Sequence, residues 1–497
     1  MDYVIAVDIG TTSTKALAFG LRGQVLAEHR ISYSIISPLP AYSEQDPEVL
    51  FDAVVNAIRE VSQMMDKSSI KGSVLGVSFS SAMHGLLAVD KEGKPLSNCI
   101  IWADTRSERF ATQLKGTALG HDIYLKTGTP IHPMSPLCKL GWMKENRTDI
   151  FDSAHKFISI KEYVFFKLFG RYLIDVSIAS ATGLLETDKQ QWYGPALSLV
   201  GISSDQLSAL VPITYTLRGL DVYYANLMQL PADLPFIIGG SDGCLANIGA
   251  QATRPGVASV TIGTSGAIRV VSAKPARDAK ERIFSYVISA DMFVLGGAVN
   301  NGGNILQWFQ EGFISSDGQA LEEAIPLLTK KAASVAPGAN GLVFLPYLSG
   351  ERAPHWDAKA KGVFFGVQMQ HTQAHFIRAM MEGILFGLYS VGKALEDTSG
   401  PIDRIFVSGG FAKSEDWIQM LADVFNKHVL VRKTVESSAM GAAIVGMNAL
   451  QIIEGFELYN DQDVTISSFV PKPANHAVYI ENFKLFERLY TKLKDEF

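Results

Sequence analysis

The sequence predicts an α/β protein of two similar halves with a cleft between them, and three observations lead there. The chain has 497 residues, more than one hydrophobic core usually organises, so two large domains are expected. The halves open alike: residues 4–19 and 256–271 are each a β-run, then Ile-Gly-Thr, then small polar residues, then a basic residue inside another β-run. Finally, Phe236-Ile237-Ile238-Gly239-Gly240-Ser241-Asp242-Gly243 sends a buried apolar strand into glycines and an acid. This sets a carboxylate at a strand end, in the crevice where α/β proteins bind ligands.

The elements follow in order. Residues 3–8 are β-rich and end in Asp8, and Gly10-Thr11-Thr12-Ser13-Thr14 is a polar turn. A second strand is expected over 15–19 and, after the Arg22-Gly23 turn, a third over 24–34. Asp46 caps a helix whose first residue is Pro47 and whose apolar periodicity runs to Met64. Residues 74–79 form a buried strand ending in Ser80-Ser81-Ala82-Met83-His84. The second meander starts near Gly256, so the boundary falls at 251–256 and the domains span 1–250 and 251–497. Residues 404–407 read as a strand leading into Ser408-Gly409-Gly410, and 479–493 as a surface helix.

Composition excludes several classes. Hydrophobic residues make up 47% and charged residues 19%, which is globular rather than disordered. Net charge is −6 with both signs interspersed, so no basic stripe marks a nucleic-acid surface. Cys99, Cys138 and Cys244 are too few and scattered for a disulfide framework or zinc cage, and read as buried thiols in a reducing compartment. No basic n-region with a long apolar run opens the chain, and no apolar run suffices to span a bilayer. A cytoplasmic protein is expected.

Five groups of residues carry chemistry. Asp8 through Lys15 form a turn rich in glycine and hydroxyls, able to offer N–H and O–H donors to a phosphate, beside an acid able to hold magnesium through water. Its counterpart is Ile262-Gly263-Thr264-Ser265-Gly266. Asp242 has the placement of a base accepting a proton from an attacking hydroxyl, although an Asx-turn or helix cap would use the same residue. Met83, His84, Trp102, Asp104 and Arg106 supply the apolar face and polar groups that a sugar pocket needs. Gly302-Gly303 and Gly409-Gly410 let a ring or ribose approach the backbone. No Walker-type loop is present. A rival reading comes from Gly239-x-Ser241-x-Gly243, the serine-hydrolase elbow, with His355, His375 or His428 to complete a triad. A hydrolase has no use for the two phosphate-type hairpins.

These residues, in this order, resemble the FGGY carbohydrate kinase family, over nearly the whole chain. Met134 to Met143, with Pro136, Lys139 and Trp142, is similar to the family's first motif. Gly362-Val363-Phe364-Phe365-Gly366-Val367 with His375 and Glu382 is similar to its second. The resemblance implies two actin-like (ribonuclease H-like) ATPase domains around a catalytic cleft, with sugar and base on residues 1–250 and nucleotide on 251–497. It implies ATP and Mg²⁺ as cofactors, Asp242 as general base, Asp8 as the magnesium residue, and Met83, His84, Trp102, Asp104 and Arg106 about the sugar. Thr12, Gly263 and Thr264 would face the phosphates, and Gly303, Gln307, Gly410 and Ser414 would bind the nucleotide. Glycerol-phosphorylating members carry Arg-Glu where this chain has Met83-His84, which argues against glycerol. The motifs most resemble the members that phosphorylate D-gluconate to 6-phospho-D-gluconate, with xylulose- or ribulose-type sugars as the alternative. A sugar acid calls for a cation near its carboxylate, for which Arg106, Lys139 and Lys161 are unranked candidates. A non-catalytic ATP-binding module of the same fold is a third reading. The expected partner is a small sugar or sugar acid, with no nucleic acid and no membrane. A homodimer is one option for the assembly.

Overall fold

The computed structural model describes residues 1–70, 72–314, 321–432, 436–458 and 465–497. The first half is organised by β1 (Tyr3–Ile9), β2 (Ser13–Gly20), β3 (Val25–Ser32), helix α1 (Pro47–Lys67), β4 (Val74–Ser81), the edge strand β5 (Thr216–Leu217) and β6 (Phe236–Ser241), which leads into α2 (Asp242–Gly249). Their order in the sheet is β5-β6-β4-β1-β2-β3, with β1, β4 and β6 parallel. The second half contributes β7 (Val257–Ile262), β8 (Gly266–Ser272), β9 (Phe284–Ser289), β10 (Met292–Val299), α3 (Gly303–Phe313), α4 (Gln373–Ser399), β11 (Arg404–Ser408), β12 (His428–Arg432), α5 (Ser437–Ala449) and β13 (Thr465–Phe469). Here the order is β9-β10-β8-β7-β11-β12-β13, with β7, β11 and β12 parallel. In both halves an antiparallel hairpin that closes the Ile-Gly-Thr turn is followed by two strands parallel to its first strand, so the repeat read from Ile-Gly-Thr is a repeat of topology. The second half differs in that β8 pairs with β10 and β9 lies outside it.

Local chemistry explains the elements. Asp46 caps α1, its carboxylate accepting from the N–H groups of Glu48 at 2.9 Å and Val49 at 3.4 Å, a cap worth about 1 kcal/mol. Leu50, Val54, Ile58, Val61 and Met65 make its buried stripe. β1 is buried along nearly its whole length because α1 covers one face and α5 the other. The C-terminal helix, Pro473–Leu493, is longer than expected and buries Tyr479, Phe483 and Phe486 against the second core, so only one of its faces is surface. All three cysteines are buried and free, as expected.

The halves meet through α2 and α5. A Cβ on Gly249 would stand 1.9 Å from the Ser437 carbonyl oxygen, and one on Gly441 2.0 Å from that of Leu245. The two helices cross at backbone contact, and only glycine permits it. α5 is a second-half helix packed on the first sheet, so the halves share a core at their hinge side. This contact fixes α2, and hence Asp242 at its first turn. Further bridges join the halves elsewhere. Lys115 Nζ donates to the carbonyls of His355 at 3.2 Å and Trp356 at 2.6 Å, and the Tyr124 hydroxyl donates to that of Ile283 at 2.7 Å. Among the described residues no helix is long and apolar enough to cross a membrane.

Candidate active site

Parallel pairing brings the chemistry together. In the first sheet Ile9 sits beside Ser81, and Ser81 beside Ser241. Asp8, the segment at 82–84 and Asp242 therefore emerge at one sheet edge, the carboxyl ends of three parallel strands. In the second sheet Thr261 lies beside Ser408, so the turns at 263–265 and 409–410 emerge together. The edges border a cavity of about 240 Å³ lined from both halves, by Thr11, Met83, His84, Trp102, Met134 and Asp242 on one side and Ala267, Arg269, Phe284, Tyr286, Arg352 and Trp356 on the other.

Asp242 faces this cavity as the first residue of α2, and its Oδ1 accepts the Gly243 N–H at 2.6 Å. Burial pushes its carboxyl up to about 6, the Asp8 charge adds to this, and the Gly243 N–H, Arg269 and Lys161 oppose it. A carboxylate poised near neutrality suits a base. His84 is buried, and its Nδ1 lies 2.8 Å from the Ala181 carbonyl oxygen. That carbonyl can only accept, so Nδ1 carries the hydrogen and Nε2, 3.5 Å from the Tyr286 hydroxyl, is an acceptor. Burial above all, with the Lys139 and Arg352 charges, holds the ring down at about 3, hence uncharged at neutral pH. Trp102 Nε1 donates to Thr11 Oγ1 at 2.9 Å, and the Arg352 guanidinium stands 4.9 Å over its ring. An indole so held offers a fixed apolar face.

Several sequence expectations need correction. Asp104 and Arg106 do not line the cavity. Asp104 is fully buried and accepts from Arg106 and the Ser43 N–H. Arg106 pairs with Asp104 and Glu44, both at 2.6 Å, and lies 3.6 Å over the Tyr42 ring. Their charges satisfy one another, which makes them a brace behind Trp102. Lys139 is likewise consumed: buried, it donates to the carbonyls of His84 at 2.5 Å, Ile100 at 3.1 Å and Ile101 at 2.8 Å, tying together the loops that present His84 and Trp102. Lys161 pairs with Asp175 at 2.7 Å and donates to the Gly240 carbonyl. Thr12 is exposed in its turn, and its neighbour Thr11 lines the cavity.

Ser241 is no nucleophile elbow. It is buried, with its hydroxyl 2.7 Å from that of Ser177. His355 stacks on Tyr490, His375 completes the cap of α4 with Thr372, and His428 meets Ser468. The three histidines are committed to these other contacts.

The nucleotide-type residues gather on the second half. Gly302 and Gly303 approach the 263–265 turn, with the Gly303 N–H donating to the Gly263 carbonyl at 2.7 Å, and a Cβ on Gly303 would stand 2.8 Å from that oxygen. Gly263, Thr264, Gln307 and Gly410 are exposed around this edge, while Ser414 caps the following helix, accepting from the Trp417 N–H. For a magnesium ion, the fit rests on Asp8. Burial raises its carboxyl, with Ser80 and Lys15 opposing, and its buried Oδ1 has no hydrogen-bond partner, an acceptor free for a metal-bound water. Among the described residues no group of three or more His, Cys, Asp or Glu forms a protein cage. Asp8 would therefore share the ion with water and phosphate oxygens.

The sequence reading missed Arg269 and Arg352. A signal was present: Arg269 is a lone charge in the apolar strand after the second glycine turn, and Arg352 follows Glu351 directly.

Two mirrored phosphate-type turns over a polar interdomain cavity with a poised carboxylate define a class: phosphotransfer to a small hydroxylated molecule. The chain matches the N-terminal domain of the FGGY family of carbohydrate kinases over residues 3–249 and the C-terminal domain over 258–450. A gluconokinase of Bacillus licheniformis is 42% identical over 500 residues, covering 100% of this chain and 97% of that protein. A xylulose kinase of Bacillus subtilis (strain 168) is 31% identical, covering 100% and 98%. Among solved structures, a ligand-bound xylulose kinase from Lactobacillus acidophilus superposes with a TM-score of 0.93 at 32% identity, covering 99% of each chain. A gluconate kinase from the same organism gives 0.92 at 32%, covering 99% and 98%. The chain belongs to the FGGY family of carbohydrate kinases.

Proposed function

We propose that this enzyme transfers the γ-phosphoryl group of ATP to the terminal hydroxyl of D-gluconate, giving 6-phospho-D-gluconate. The kinship at 42% identity with gluconokinases over full length supports gluconate. The observation that carries the chemistry is Asp242, a carboxylate held near pKa 6 at the wall of a cavity shared by both halves.

In this reading the first half holds the sugar and the base, and the second half the nucleotide. His84 Nε2 and the Met83 and Trp102 faces position the polyol chain. Asp242 takes the proton of the attacking hydroxyl as that oxygen bonds to phosphorus and the bond to the β-phosphate oxygen breaks, leaving ADP. The turns at 10–13 and 263–265 present N–H and hydroxyl donors to the phosphates, and Gly303, Gln307, Gly410 and Ser414 border the nucleotide. Magnesium bound at Asp8 would neutralise phosphate charge. Most of the rate gain comes from positioning and charge complementarity.

The test is a coupled ADP-release assay across gluconate, xylulose, ribulose, fuculose, rhamnulose and glycerol. Gluconate should give the highest kcat/KM. A neutral sugar ahead of it would overturn the substrate, and ATP turnover indifferent to every sugar would overturn sugar phosphorylation altogether.

A further inference from the structure

We infer that Arg269 is the residue that recognises the carboxylate end of the substrate, with Arg352 as a second positive charge beside it; this rests on the reading of the substrate as a sugar acid. Arg269 lies on β8 and lines the cavity. Its Nε and Nη1 are shielded from solvent and have no hydrogen-bond partner. Unpartnered donors on a buried guanidinium call for an acceptor, and a charged carboxylate is the strongest acceptor that a sugar acid offers. Every cation the sequence had suggested for this task is already engaged: Arg106 with Asp104 and Glu44, Lys139 with three carbonyls, Lys161 with Asp175.

The surroundings fit the assignment. Residue 243 has no side chain, and a Cβ there would stand 3.5 Å from Arg269 Nε, 3.6 Å from Nη2 and 2.8 Å from Met83 Cε. Glycine at this position keeps the wall beside Asp242 open to both side chains. Arg352 is fixed by its Nε donating to Asn300 Oδ1 at 2.7 Å and by the Trp102 ring, while Asn300 and Asn301 in turn hold Glu351. With His84 uncharged, the cavity has two guanidinium groups against one carboxylate, Asp242, a balance that favours an anion over a neutral sugar. Arg269 is also within electrostatic reach of Asp242, so the rival role is to tune the base alone.

The test uses the full chain and two ligands, D-gluconate and D-gluconamide, in which an uncharged amide replaces the carboxylate. The amide is read as alternative substrate or as competitive inhibitor. Arg269→Gln should raise the KM for gluconate about ten- to hundredfold, the range for a hydrogen-bonded charge, and move the gluconamide constant less than about threefold. Arg269→Lys should recover part of the loss. The ATP KM and the thermal midpoint serve as folding controls. If Arg269→Gln does not fold, Arg269→Lys must still lower the preference for gluconate over gluconamide. Equal losses on both ligands, or an equal displacement of the pH–rate profile with no change in preference, would overturn the assignment and leave gluconate standing as substrate. A wild-type enzyme that releases no ADP with gluconate would overturn both.

Discussion

Hairpins β1–β2 and β7–β8 hold the same place in their sheets, and each closes an Ile-Gly-Thr turn, yet they bring different charges to the cleft. Before its turn the first carries Asp8, where the second has Thr261. After its turn the first carries Lys15 directly across from Asp8, and Lys15 spans the halves to Glu436 at 2.6 Å. In the second, the position matching Lys15 is Ala267, and the basic residue, Arg269, comes two residues further along the same face. That two-residue difference moves the positive charge from a bridge at the rim, made by the Lys15 ammonium, to the wall of the cavity, where it is the Arg269 guanidinium. A duplicated scaffold thus acquires a carboxylate on one side of the cleft and a guanidinium on the other, the pair to which the proposed metal and substrate roles are assigned.

The comparison can be broken at several points. The largest effect should come from Asp242→Asn, which keeps the fold and both KM values within a few-fold and lowers kcat about 10²- to 10⁴-fold. Near-normal turnover would remove Asp242 from the base role. Because the base must be ionised to accept a proton, and its carboxyl sits at about 6, kcat/KM should be level above that pH. It should then fall about tenfold per unit below it. A profile flat down to pH 4.5 would contradict this.

Asp8→Asn probes the acidic hairpin. The magnesium concentration for half-maximal rate should rise about ten- to hundredfold while the gluconate KM stays put, the reverse of what Arg269→Gln does. If both variants move the same constant, the division of labour between the hairpins is wrong. His84→Ala removes one acceptor and should raise the sugar KM by about tenfold or less with the ATP KM unmoved; a change confined to ATP would misplace this residue. The smallest catalytic effect belongs to Ser241→Ala. It removes the acceptor of the Ser177 hydroxyl proton while the N–H of residue 241 still donates to Ser177 Oγ, costs about 1–3 kcal/mol of stability, and should leave kcat within twofold. Loss of activity, or labelling of Ser241 by a fluorophosphonate, would revive the hydrolase reading.

Much of the scaffold was legible along the chain. The Asp46-Pro47 helix start, the strand into Ser80-Ser81 and the Phe236–Ser241 strand ending at an acid are local patterns, set by capping, backbone restriction and the alternation of burial. Asp242 could be nominated because it ends a buried strand, and Met83, His84 and Trp102 because they follow β-rich runs and supply the apolar faces and polar groups that a sugar pocket needs. Arg106, Lys139 and Lys161 were misread for a shared reason. A cation in a motif looks available until its partners are known, and those partners, Glu44, the Ile100 carbonyl and Asp175, come from other segments.

The sequence by itself determined the duplicated α/β architecture, the family, and the placement of a carboxylate beside the cleft, because each rests on contiguous residues whose spacing carries the information. Only the tertiary structure decided which charges are spent and which are free. Satisfaction of a buried ion depends on groups tens to hundreds of residues away, and the register of β8 against β7, set by the length of one turn, put Arg269 into the cavity.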